Sequence, residues 1–238
     1  MRYARNRLGV GVIDYCIYAV GGSSGQHVYS SVERYAVKKE ADGWTEVAPM
    51  HIARIGLAVC THTRLLYAIG GFDGHRRLAD VESYNPDTDV WTREAPLRIS
   101  RSGAAASPFA ESIYVVGGYA SDSTTGATQL NSVEQFNTIT QQWSIVQPMQ
   151  SPRSALTCVT LENRLFAIGK RMWVEQGSMR TVSQSCRRLR WQGILSAGGS
   201  IRSERRQVDL WCISHARTKW PRKCPDCRTN LGRRRRLG

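Results

Sequence analysis

The chain has 238 residues and a formal net charge of +14, but the charge is unevenly spread: residues 1–169 hold 15 basic and 15 acidic side chains, while residues 170–238 hold 18 and 4. No apolar run approaches the ~20 residues of a membrane-spanning helix, and no signal-like segment precedes Arg5, which argues against a membrane or exported protein. The odd count of seven cysteines fits a reducing, intracellular setting, with the cytoplasm expected and the nucleus as a further compartment.

In chain order, the first unit opens at Arg7 and runs through the alternating stretch 9–13, the apolar run 17–20 closed by Gly21 and Gly22, the Val32-Glu33-Arg34-Tyr35 phrase, and Trp44. Stretch 9–13 suits an inner strand packed between neighbours, and 17–20 reads as a strand buried on both faces. Residues 31–37 alternate more loosely, and 44–47 would be the outermost strand. The phrase then repeats. Arg54, Arg101 and Arg153 follow Arg7 at steps of 47, 47 and 52, with Gly9, Gly56, Gly103 and Ala155 two places on. Aromatic residues recur at Tyr18, Tyr67, Tyr114 and Phe166, double glycines at 70–71 and 117–118, and Trp91 and Trp143 close the second and third units.

From the second glycine to the valine of Val-Glu is 10 residues in the first two units and 15 in the third, whose extra residues fall in the Ser/Thr/Gly run 120–128. Length variation confined to a polar loop is what a structural repeat tolerates. Four short strands per unit, a period near 48 and no helical periodicity through residue 169 predict an all-β propeller: three blades and the start of a fourth. The glycines and tryptophans are read as architectural, and Arg54, Arg101 and Arg153 as stitches between blades.

The phrases Tyr67-Ala68-Ile69-Gly70-Gly71-Phe72-Asp73-Gly74, Val81-Glu82-Ser83-Tyr84-Asn85-Pro86 and Ala48-Pro49-Met50 resemble those of the kelch-repeat family. Residues 6–14, 65–74 and 129–134 are similar to its Kelch-like ECH-associated branch, the oxidative-stress adaptors of cullin-based ubiquitin ligases, and the similarity spans about residues 5–169. The resemblance implies a six-bladed propeller, of which this chain supplies about half. It also implies a pocket that grips an acidic motif of a cap'n'collar-type transcription factor. The residues it points to are Arg7, Phe72, Arg77, Ser102, Tyr119, Gln129 and Ser154. Guanidinium forks suit carboxylates, and hydroxyl and amide groups supply further donors. The cullin contact would need domains that this sequence does not carry.

Other roles are weighed beside this one. Kelch propellers with a catalytic metal need clustered His, Tyr and Cys ligands, whereas His27, His51, His62, His75 and His215 fall at unrelated places in the repeat, so no catalytic residue and no cofactor is expected. A generic or actin-associated interaction role would keep the blade phrases without requiring Arg7, Arg77 and Ser102 together. A truncated, non-functional product is the third alternative.

The repeat breaks at Lys170, where a second glycine is due, and residues 170–238 are expected to be irregular or disordered. A frameshifted or mis-spliced segment is one reading of this basic tail. A nucleic-acid-binding arm ending in four arginines at 233–236 is another. A Cys3His zinc site from Cys212, His215, Cys224 and Cys227 is the third, at an unusually short spacing. Residues 1–169 alone should be marginal in solution because three blades and a stub leave two unpaired edges, with dimerisation as the alternative.

Overall fold

In the computed structural model, glycine pairs end the second strand of each of the first three repeats and the chain folds back into a four-stranded antiparallel sheet each time. The structure describes residues 1–38, 42–121, 127–161 and 164–169, and the backbone of 209–214. The first sheet orders β1 (Gly9–Ile13), β2 (Cys16–Val20), β3 (Val32–Ala36) and β4 (Trp44–Val47) from inside to outside. The second repeats this with β5 (Ala58–His62), β6 (Leu65–Ile69), β7 (Val81–Asn85) and β8 (Val90–Glu94). The third uses β9 (Ala105–Phe109), β10 (Ser112–Val116), β13 (Val133–Asn137) and β14 (Gln142–Val146), and the small ribbon of β11 (Tyr119–Ala120) and β12 (Thr128–Gln129) rises from its loop.

Inner strands stand side by side, β1 against β5, β5 against β9 and β9 against β15 (Thr157–Leu161). This is the stacking of blades around a propeller axis. The cores lie between sheets: Val20, Leu66 and Tyr84 in the first joint, Ile69, Ile113 and Phe136 in the second, and Val116, Leu165 and Cys158 in the third. Burial lifts the Cys158 thiol to about 12 and the Cys60 thiol higher still, so both behave as small buried apolar groups.

The fourth sheet corrects one expectation. After β15 and β16 (Arg164–Gly169), β17 (Asp209–Ser214) returns from the region read as irregular and pairs antiparallel with β16. Its register sets Leu210 opposite Ile168 and Trp211 opposite Ala167. Those are the places of Val32 and Glu33, Val81 and Glu82, and Val133 and Glu134 in the other blades. The strand was hidden because a Leu-Trp pair stands where the Val-Glu signature was sought. Of the four zinc candidates, Cys212 lies in β17, and His215, Cys224 and Cys227 lie outside the described residues.

Candidate functional site

A buried arginine at the entry to each blade sets the site's scaffold. Arg54 donates through Nη1 to the carbonyls of Gly70 and Asp80 and through Nη2 to Glu82. Arg101 repeats the pattern with Gly117, Ser132 and Glu134, and Arg153 donates to the Gly169 carbonyl at 2.8 Å. The backbone of the same arginines holds the preceding blade: Gly22, Gly71 and Gly118 donate their N–H groups to the carbonyls of Arg54, Arg101 and Arg153. Each arginine therefore ties two blades, one with its side chain and one with its main chain. Burial presses the pKa of Arg54 and Arg101 down, and Glu82 and Glu134 counteract it, which keeps the charge inside the joint.

The fourth member of this set is Arg5, where the sequence period pointed to Arg7. Arg5 donates to Gly21, to Ser31 and, at 2.7 Å, to Glu33. Arg7 instead shares its place with Gly56, Gly103 and Ala155. All four have positive φ, between 48° and 64°. Their backbones form a chain around the axis: Gly56 donates to the Arg7 carbonyl, Gly103 to Gly56, and Ala155 to Gly103, at 2.7–2.9 Å. At this inner ring three blades carry a hydrogen or a methyl group, and the first carries an exposed arginine with no ion pair among the described residues.

Outside the ring lie short rungs of paired residues. The second blade pairs Ile55 with Phe72 and Phe72 with Arg77, and the third pairs Ser102 with Tyr119 and Tyr119 with Gln129. Residues paired across antiparallel backbone present their side chains on one face, so each rung offers a row of three. The Gln129 amide donates to Ser154 Oγ at 2.9 Å and to the Tyr119 hydroxyl at 3.3 Å, which gathers Ser102, Tyr119, Gln129 and Ser154 across the third and fourth blades. Arg77 donates to Ser121 at 3.3 Å and so reaches from the second blade to the third. Among the described residues no hydrogen bond or ion pair joins the Arg7 side chain to the other six, and its backbone carbonyl accepts from Gly56 in the ring. Sequence reasoning missed Asn6, Ser23, Val28 and Ile55, which hold the same rung positions in the first two blades. Aligning the units on their double glycines would have found them.

The face thus offers two guanidinium groups beside hydroxyl, phenol and amide donors, with an apolar row at Ile55 and Phe72. Such a surface can take a carboxylate-bearing chain by charge-assisted hydrogen bonds. Among the described residues no three His, Cys, Asp or Glu side chains come together to hold a metal ion, and no helix is long and apolar enough to cross a membrane.

The sequence profile of the KLHDC2/KLHL20/DRC7 Kelch-repeats domain matches residues 9–217, which includes β17. The chain belongs to the kelch-repeat family. It is similar to mouse Kelch-like protein 35, 30% identical over 196 residues covering 77% of this chain and 33% of that protein. It is also similar to human Kelch-like protein 23, 26% identical over 205 residues covering 84% of this chain and 36% of the relative. The chain therefore spans about a third of the length of these two relatives. A 54-residue stretch is 48% identical to human Kelch-like protein 4, covering 23% of this chain and 7% of that protein. Among solved structures, that of YjhT superposes with a TM-score of 0.62 over 71% of this chain and 59% of its own, at 15% identity, a likeness of fold.

Proposed function

We propose that this kelch protein is a protein-interaction module, a binding protein and not an enzyme, whose rung-bearing face recruits an acidic peptide segment of a partner. Arg7 carries the reading. The inner ring has positive φ in every blade, and the first blade places an exposed guanidinium there against the conformational preference of its backbone. A charged, exposed side chain held at such a backbone, on the same face as the rungs, supports a ligand-facing role. By similarity to the Kelch-like ECH-associated branch, the partner is a cap'n'collar-type transcription factor of the oxidative-stress response. The module then acts as the substrate adaptor of a cullin-based ubiquitin ligase in the cytoplasm, with the nucleus as a further compartment. Arg7 and Arg77 anchor carboxylates, Ser102, Gln129 and Ser154 donate to the peptide, and Phe72 and Tyr119 form its apolar walls.

The test is fluorescence anisotropy with a labelled hairpin peptide rich in Asp and Glu, against its Asn/Gln counterpart. The acidic peptide should bind and the amide version should not, and R7A and R77A should each weaken binding roughly 10- to 100-fold, the worth of a charge-assisted hydrogen bond. Equal binding of both peptides would overturn the reading. A partner held equally well by the triple variant R7A/R77A/S102A would place its contact elsewhere on the propeller.

A further inference from the structure

The third repeat departs from the first two at one turn. Three places after the double glycine stand Gly25 in the first unit and Gly74 in the second, both at positive φ in short loops. The third unit has Ser121 there, in the Ser/Thr/Gly run that carries its five extra residues. Ser121 is exposed and belongs to no strand, so an enzyme can reach its hydroxyl.

That hydroxyl lies beside the candidate site. Arg77 is half-buried and is paired through its backbone with Phe72. From the second blade it reaches across to the third and donates through Nη1 to Ser121 Oγ at 3.3 Å. Its neighbour Arg76 turns back into its own loop, where the carboxylates of Asp73 and Asp80 lie 3.7 and 3.8 Å away. Of these two guanidinium groups, Arg77 is the one bonded to the third blade.

A hydroxyl accepts that bond without adding charge. A phosphate on the same oxygen would bring a charge of about −2 and three strong acceptor oxygens. Guanidinium forks bind phosphate bidentately, with charge-assisted bonds roughly twice as strong as neutral ones. Both groups belong to one chain, so the phosphate would face Arg77 at an effective concentration on the order of millimolar. A carboxylate arriving from solution has to displace it, and it also meets the added negative charge.

We propose that Ser121 is a phosphorylation site whose phosphate takes Arg77 and so closes the acidic-peptide face, a regulation that rests on Arg77 being a carboxylate anchor. A protein kinase supplies the phosphoryl group from a nucleoside triphosphate. The bond from Ser121 Oγ to the terminal phosphorus forms, and the bond from that phosphorus to the bridging oxygen breaks. The hydroxyl proton passes to the kinase's base, and the nucleoside diphosphate leaves.

The test installs phosphoserine at position 121 of the full chain by nonsense suppression, with and without R77Q. Phosphorus NMR follows the second ionisation of the phosphate, whose ordinary pKa is about 6. Arg77 should hold it below that value, and R77Q should restore it. Anisotropy with the acidic hairpin peptide should show binding roughly 10-fold or more weaker for the phosphorylated chain than for the unmodified one. Two results would overturn the proposal: a titration that ignores R77Q, or equal peptide affinity of the two chains where the unmodified chain binds. Failure of the unmodified chain to bind the peptide would instead sink the acidic-peptide reading, and the titration then decides the Arg77 pair alone.

Discussion

The buried joints and the rung-bearing face are built from the same repeat, and they treat it in opposite ways. At the joints the first three blades spend the same residues. Arg5 with Glu33, Arg54 with Glu82 and Arg101 with Glu134 make superposable pairs, and each carboxylate also collects backbone N–H groups from the preceding linker. At the face, positions held by equivalent backbone differ from blade to blade: Arg, Gly, Gly and Ala at the ring, and Asn, Ile, Ser and Ser one residue before it. Where packing and hydrogen bonding must be satisfied identically, identity repeats. Where solvent or a partner is the neighbour, it is free to vary.

That contrast can be broken at graded cost. The largest effect is expected from E134A, which strands the buried Arg101 guanidinium and the N–H groups of Arg98 and Ile99. Loss of one partner from a buried ion pair costs roughly 3–5 kcal/mol, and denaturant melts should show it. Next comes G70A. Its φ is +60°, and a Cβ there would lie 2.6 Å from the Arg101 carbonyl, so a loss of roughly 1–3 kcal/mol is expected in the same melts. W143F keeps the ring against Phe136 but removes the N–H that bonds the Ala95 carbonyl, for about 1 kcal/mol.

The smallest effect is a pH dependence. Asp89 accepts hydrogen bonds from the Ala48 N–H and the Tyr84 hydroxyl, which hold its pKa below the ordinary carboxylate value. The unfolded chain therefore binds the proton more readily, so the contribution is complete above about pH 4 and fades as acid titrates the folded carboxylate. The melting temperature of wild type should approach that of D89N below that pH and exceed it above.

The propeller was legible because strand periodicity, double glycines and Val-Glu phrases recur together. The register of the first unit was not. A step of 47 residues selected Arg7, but the first unit has two extra residues between Val32 and Trp44, compared with the ten-residue step from Val81 to Trp91. The distance that physics fixes is the 16 residues from arginine to first glycine, because the guanidinium must reach that carbonyl: Arg5 to Gly21, Arg54 to Gly70, Arg101 to Gly117 and Arg153 to Gly169. The strand β17 escaped for a related reason, since Trp211 stands where a glutamate marks the other blades. The seven face residues were reached through family resemblance. Their rung equivalents Asn6, Ser23, Val28 and Ile55 carry no shared chemistry that a pattern could flag.

Arg5 and Arg7 put the account to its most direct test, because they lie two residues apart and are assigned opposite roles. The Arg5 side chain is fully buried on Glu33 and Arg7 is exposed at the ring. Alanine at each position, followed by denaturant melts and acidic-peptide binding, separates them. R5A should lose several kcal/mol of stability, in line with a broken buried pair, and R7A should melt like wild type while losing peptide affinity. A destabilised R7A beside a stable R5A would contradict this and return the joint to the register that the bare spacing chose.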